Sequence, residues 1–207
     1  MSILEIAANY YQYFLRGTRT TILVALVTVF CGALLGCAIA LMRLSKIKVL
    51  NWFSRLYITV IRGTPMLVQL YIVYFQLDFI KYPSGSIFGV DLERAIPCII
   101  ALSMNSAAYI AEIIRAGIQA VDAGQREASL SLGMTERAIM TKVIFPQAIK
   151  NILPALGNEV IVMIKQTSLA SVFFFGELMT AYKQVQSTTF LALEPLTISG
   201  LIYLFLT

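Results

Sequence analysis

The chain has 207 residues, of which 58% are hydrophobic and 13% charged, with a formal charge of +5. A soluble domain carries about 45–50% apolar and about 25% charged residues, so this composition excludes a water-soluble globule and points to an integral membrane protein. The length allows one domain of several spans rather than two folds in series. The Lys and Arg fall mainly in two interhelical loops, which reads as membrane orientation and excludes a nucleic-acid-binding patch.

There is no His, which removes the commonest metal ligand and the commonest general base. Cys31, Cys37 and Cys98 lie inside apolar runs at spacings that fit no zinc or disulfide framework. They read as small packing residues. No metal and no cofactor is expected in this chain, and it contains no GxxxxGK[ST] phosphate loop.

In chain order, residues 2–19 are aromatic-rich and amphipathic, with Tyr10, Tyr11, Tyr13 and Phe14 ahead of Arg16 and Arg19. The pattern fits an interfacial helix over 1–19, or an aromatic belt before the first span. No cleavable signal peptide is expected, because the N-terminus has no basic start and Glu5 comes early. The membrane domain is expected over 20–207. Its first span is the uncharged run Thr20–Met42, long enough for about 30 Å of hydrocarbon at about 1.5 Å per residue. Gly32 and Gly36 form a GxxxG pair there, a spacing that permits close helix approach.

Arg43, Lys46, Lys48 and Arg55 crowd the first loop, and a second span is expected over Tyr57–Leu77. Near its start stands Arg62-Gly63-Thr64-Pro65. Gly and Pro together can open a helix and free carbonyls, tolerable only at a protein-lined or wet site. Alternatively the helix begins at Pro65, with Arg62 snorkelling to the interface. The next loop is acidic by contrast, with Asp78, Asp91 and Glu93 against Lys81 and Arg94. A third span, Ala95–Arg115, carries Asn105 near its middle. A fourth, Asn151–Phe175, carries Pro154, Gly157, Asn158, Glu159 and Lys165. A fifth apolar run starts at Leu191. The basic first and third loops are expected to be cytoplasmic, which places the N-terminus outside and the C-terminus inside.

The third loop, about 117–150, is the longest polar interval and has punctuation of its own. Asp122 can N-cap a helix with Gln125 at capping-box spacing. Gly133 is where that helix would end, and Thr135 can cap a second helix limited by Pro146. Glu127-Ala128-Ser129, three residues, Gly133, nine residues and Val143-Ile144-Phe145-Pro146 resembles the EAA loop of ABC-importer permeases. The family pattern is Glu-Ala-Ala, x3, Gly, x9, Ile-x-Leu-Pro, and the three departures (Ser129, Val143, Phe145) are small or apolar exchanges. Read without the resemblance, the loop is a helical connector. Arg62-Gly63-Thr64-Pro65 followed by Met66-Leu67-Val68-Gln69 is similar to the polar amino-acid branch of the same permeases.

The resemblance implies an all-α integral membrane protein with about five transmembrane helices in a type I importer arrangement. It also implies residence in the bacterial cytoplasmic (inner) membrane. It implies a dimer with an identical or related permease, two ATPase subunits that use ATP and magnesium, and an extracytoplasmic binding protein for a polar amino acid. In that scheme the 125–132 helix docks in the ATPase. Glu127 supplies a charged contact, Ala128 keeps the contact face thin, Gly133 aims the helix, and Arg126 and Ser129 complete the coupling set. The family normally continues past its fifth span to a short cytoplasmic end, so the chain is expected to extend beyond Thr207. Many relatives carry Asp where Gln166 stands, which leaves Lys165 without a local counter-charge.

A carboxylate in a spanning helix costs about 2.5–3.5 kcal/mol on insertion scales, so Glu159 must face a partner or water. It lies about 12 Å along the helix from Asn151, near mid-membrane, at a depth similar to Asn105 and Gln69. These three groups on three helices can ring a solute site. Glu159 is expected to meet the cationic part of a polar amino acid, with Thr64, Gln69, Met104 and Asn105 lining the same cavity. The competing possibility is an internal pair of Glu159 with Lys165 or Arg62. Two other function classes remain open at this point. One is a stand-alone ion-coupled transporter with Glu159 as its cation or proton site. The other is an intramembrane enzyme, for which Ser168 and Lys165 are a poor pair.

Overall fold

The computed structural model describes residues 2–77, 80, 82–87 and 90–207. Two loop charges counted above, Asp78 and Lys81, lie outside them. The described chain is almost wholly helical. It runs α1 (Ile3–Leu44), α2 (Lys48–Gly63), α3 (Met66–Gln76), a two-residue hairpin of β1 (Ser86–Ile87) and β2 (Val90–Asp91), then α4 (Leu92–Gln119). After it come α5 (Ala123–Ser131), α6 (Glu136–Ile139), a π turn over Met140–Ile144, α7 (Phe145–Gln166), a 3₁₀ stretch over Thr167–Phe173, α8 (Leu178–Thr189) and α9 (Leu193–Leu206).

α1 opens on a capping box in which Glu5 N–H donates to Ser2 Oγ and Ser2 N–H donates to Glu5 Oε2. It then continues without a break through Arg16, Gly17 and Arg19. The expected boundary between a 1–19 helix and a span from Thr20 therefore has no counterpart in the backbone. Hydropathy marks where lipid contact becomes favourable, and no Pro interrupts the hydrogen-bond ladder between residues 3 and 44. Gly32 and Gly36 form the seam between α1 and α4. A Cβ on Gly32 would come within 2.9 Å of Ser106, and one on Gly36 within 2.9 Å of Ala107 O and of Ile110. The GxxxG pair thus serves an interface inside this chain.

The single second span expected over Tyr57–Leu77 is two helices, α2 and α3, bent by 110° at Thr64-Pro65. Both sequence alternatives hold in part, since the chain opens at Gly63–Thr64 and a new helix starts after Pro65. Nor does Pro146 end the helix that Thr135 caps. The missing Pro N–H falls within the first turn of α7. The π turn ahead of it keeps the ladder running, with Phe145 N–H donating to Met140 O, so the helical path continues from Glu136 to Phe173. Residues 178–189, which carry no sequence-predicted element, form α8.

α1 and α4 are each long and apolar enough to cross a membrane. The α2–α3 pair and the 136–173 stretch with α8 qualify as broken spans, and α9 is a shorter apolar helix. These account for about five membrane segments. Val24, Leu70, Cys98, Leu102, Ala170 and Phe175 form the main core between α1, α3, α4 and the 3₁₀ stretch. Cys98 is an apolar packing residue there, as its sequence context predicts.

Candidate solute site and cytoplasmic loop

The α2–α3 break leaves carbonyls open at the end of α2, and one side chain closes them. Gln69 Nε2 donates to Ile61 O (2.6 Å), Thr64 O (3.1 Å) and Thr64 Oγ1 (2.8 Å). Thr64 Oγ1 in turn donates to Val60 O at 2.9 Å. Gln69 Oε1 accepts from Asn105 Nδ2 at 2.9 Å, tying the break to α4. Asn105 is buried, and its Oδ1 has no hydrogen-bond partner. Met104 enters through its backbone, since Tyr57 donates its hydroxyl to Met104 O at 2.7 Å.

Glu159 is 4% exposed, and its Oε1 accepts from Ser106 Oγ at 2.9 Å. No described cation lies within ion-pair distance of it. Arg62 instead stands 3.9 Å from Glu112 and 5.1 Å over the Tyr109 ring. Lys165 is exposed and enters no described ion pair, and the neighbouring Gln166 Oε1 is buried without a partner. The internal-pair possibility for Glu159 is thus replaced by a neutral hydroxyl. Ser106 follows Asn105 directly, about 100° round α4. The expected residues therefore divide into two linked groups on adjoining faces of α4, Thr64–Gln69–Asn105 and Ser106–Glu159.

Sequence reasoning gave no role to three groups, though it places Glu112 and Arg115 together near the end of the third span. Ser106 sits 53 residues from Glu159, a separation that carries no local signal. Glu112 pairs with Arg115 (2.7 Å) near the end of α4. Glu177 is a fully buried carboxylate that caps α8. Its Oε1 accepts from Thr180 N–H (2.6 Å) and Thr180 Oγ1 (2.7 Å), and its Oε2 from Met179 N–H (2.6 Å). The signal was present as Gly176-Glu177-x-x-Thr180, a cap residue three before a Thr.

The loop after α4 has the punctuation expected of it. Asp122 Oδ1 accepts from Gly124 N–H at 2.7 Å, starting α5 at Ala123, although the cap does not engage Gln125 through a reciprocal side-chain bond. Gly133 takes φ +75°. With Gly133 N–H donating to Leu130 O (2.9 Å) and Met134 N–H to Ser129 O (3.1 Å), the end is a Schellman closure. Thr135 Oγ1 accepts from Ala138 N–H, starting α6. Arg126 pairs with Glu136, bracing α5 against α6. Ser129 is buried and bonds Gln125 O at 2.6 Å. Glu127 and Ala128 are exposed, and the Glu127 carboxylate has no hydrogen bond or ion pair with any described residue. Leu132, just past the end of α5, is 81% exposed, so this end offers an apolar edge that no described residue covers.

Broken spans around a buried carboxylate, with a capped helix standing off one end, define an integral-membrane transport subunit. The chain belongs to the family of binding-protein-dependent transport system inner membrane components, whose model matches residues 32–207. It is 39% identical to the arginine transport system permease protein ArtQ of Bacillus subtilis (strain 168), over 92% of this chain and 84% of that protein. To the nopaline transport system permease protein NocM of Agrobacterium fabrum it is 36% identical, over 99% and 86%. A crystal structure of an amino acid ABC transporter with histidines superposes with TM-score 0.90 at 45% identity, covering 100% of this chain and 92% of that one. The MetNI methionine ABC transporter in an inward-facing form shares the fold alone, at TM-score 0.67 and 19% identity.

Proposed function

We propose that the chain is the permease subunit of an ATP-driven importer that carries polar amino acids across the bacterial cytoplasmic membrane. One observation carries the solute assignment. Glu159 is buried, one oxygen is held by a neutral hydroxyl, and no described cation engages the other. A charge in that position is tolerated when it meets a partner, and the ammonium or guanidinium of an amino acid supplies one. Thr64, Gln69, Asn105 and Met104 then bound the same chamber from α2, α3 and α4. The relatives named for arginine and nopaline transport support this class of solute.

The chain works with a second permease, identical or related, two cytoplasmic ATPase subunits that hydrolyse ATP with magnesium, and a solute-binding protein outside. The N-terminus faces outside and the C-terminus the cytoplasm. α5 seats in the ATPase through Glu127, Ala128 and the Leu130–Leu132 edge, with Ser129 and the Arg126–Glu136 pair holding its shape. The test is Glu159→Gln in the reconstituted complex, with uptake and solute-stimulated ATP hydrolysis measured separately. A hydrogen bond to a charged group contributes about 1.5–3 kcal/mol, so solute affinity should fall roughly 10- to 150-fold. Unaltered uptake and affinity would remove Glu159 from the site.

A further inference from the structure

Two cavities, each of about 290 Å³, adjoin where α1 ends and α2 begins, and Arg55 lines both. Lys46, Lys48 and Trp52 line the first with it, and Arg43, Arg62 and Glu112 the second. Five cations therefore face one carboxylate, and that carboxylate is already taken. Arg115 donates to both Glu112 oxygens, at 2.7, 3.0 and 3.1 Å, and Arg62 stands 3.9 Å away. Among the described residues Arg43, Arg55, Lys46 and Lys48 have no ion pair. Asn51 holds one corner of the Arg43 guanidinium (3.4 Å) while Arg43 Nε is a buried donor without an acceptor. Beside the cavities Trp52 and Phe53 are exposed, edge to face at 5.1 Å, with Val49 and Leu56 exposed next to them. Aromatic side chains of this kind settle at the membrane–water interface, and basic pockets between helices on the cytoplasmic side hold anionic headgroups.

We propose that these two neighbouring cavities, which share Arg55, bind the phosphate headgroup of an anionic phospholipid of the cytoplasmic leaflet. Arg43 Nε, Arg55 and the two lysines meet the phosphate, and the lipid body lies along Trp52, Phe53, Val49 and Leu56. A free phosphate would gain nothing from that apolar flank. The proposal rests on the orientation given under Proposed function but on no solute. The test uses the whole complex in phosphatidylcholine nanodiscs doped with phosphatidylglycerol, with retained lipid counted by native mass spectrometry. Wild type should retain phosphatidylglycerol in preference to phosphatidylcholine. At about 1 kcal/mol per basic residue, Arg55→Gln should weaken retention about fivefold and Arg43→Gln with Arg55→Gln about 30-fold. Arg55→Lys should restore it. Arg55 makes no internal pair, so Arg55→Gln should fold normally, with an unchanged melting temperature. Equal retention of phosphatidylcholine, retention untouched by Arg55→Gln, or complete displacement by inorganic phosphate would each overturn the proposal. Labelling Lys46→Cys from one side of sealed vesicles tests the orientation separately.

Discussion

Gly133 offers the sharpest test of the loop, because its contribution is conformational and can be isolated. It holds φ +75° at the end of α5, and a Cβ there would meet nothing within 4 Å, so substitution introduces backbone strain without a clash. The left-handed conformation costs an ordinary L-residue roughly 1–2 kcal/mol, less for Asn and more for a β-branched side chain. α5 has nine residues, short of the about 12–15 at which an isolated helix becomes even marginal, so it depends on its closing bonds. A 1–2 kcal/mol penalty lowers the population of the closed end by a factor of about 5 to 30. The series Gly133→Asn, Gly133→Ala and Gly133→Val should therefore give a graded loss of solute moved per ATP hydrolysed in proteoliposomes. Membrane insertion and the melting temperature of the spans should stay level. A flat series, or Gly133→Val coupling as well as wild type, would refute this reasoning.

Four further outcomes follow from local geometry. Ser106→Ala removes the donor that holds Glu159 Oε1, and leaving that acceptor unpaired should cost about 1–3 kcal/mol. Solute Kd on the purified complex should rise accordingly, and an unchanged Kd would show that the bond positions nothing. Gly32→Val places methyl groups against Ser106 at the α1–α4 seam and should destabilise by about 1–3 kcal/mol in a thermal melt. Gly63→Ala, with nothing within 4 Å of its Cβ, should be neutral or slightly stabilising in the same melt. Glu177→Ala removes the α8 cap and should cost about 0.5–2 kcal/mol of stability. Uptake per folded molecule should be unaltered.

The parts of this protein that could be read in advance are those whose causes are local. Caps at Asp122 and Thr135 and the left-handed stop at Gly133 are written within a few residues of where they act, so the two helix starts and the stop between them were legible. The break at Thr64-Pro65 was legible as a break, yet its 110° turn was not, because the angle is set by Gln69 bonding back to α2 and across to Asn105. The continuity of α1 past Arg19 was hidden because polarity and helicity are separate signals, and two arginines change only the first. Ser106 was invisible for the opposite reason: its meaning depends on which helix packs beside α4. Pro146 misled because a wide turn just ahead of it accommodates the missing N–H, an accommodation no single residue announces.

That wide turn has a mechanical consequence. Between Glu136 and the buried carboxylate at 159 the helical path is unbroken, through the wide turn over Met140–Ile144 and past Pro154. From Ile144 to Glu159 it spans about 22 Å at about 1.5 Å per residue. In the proposed importer, a shove delivered at Arg126 and Glu136 has one continuous helical path to Glu159, as it would through the stem of a valve.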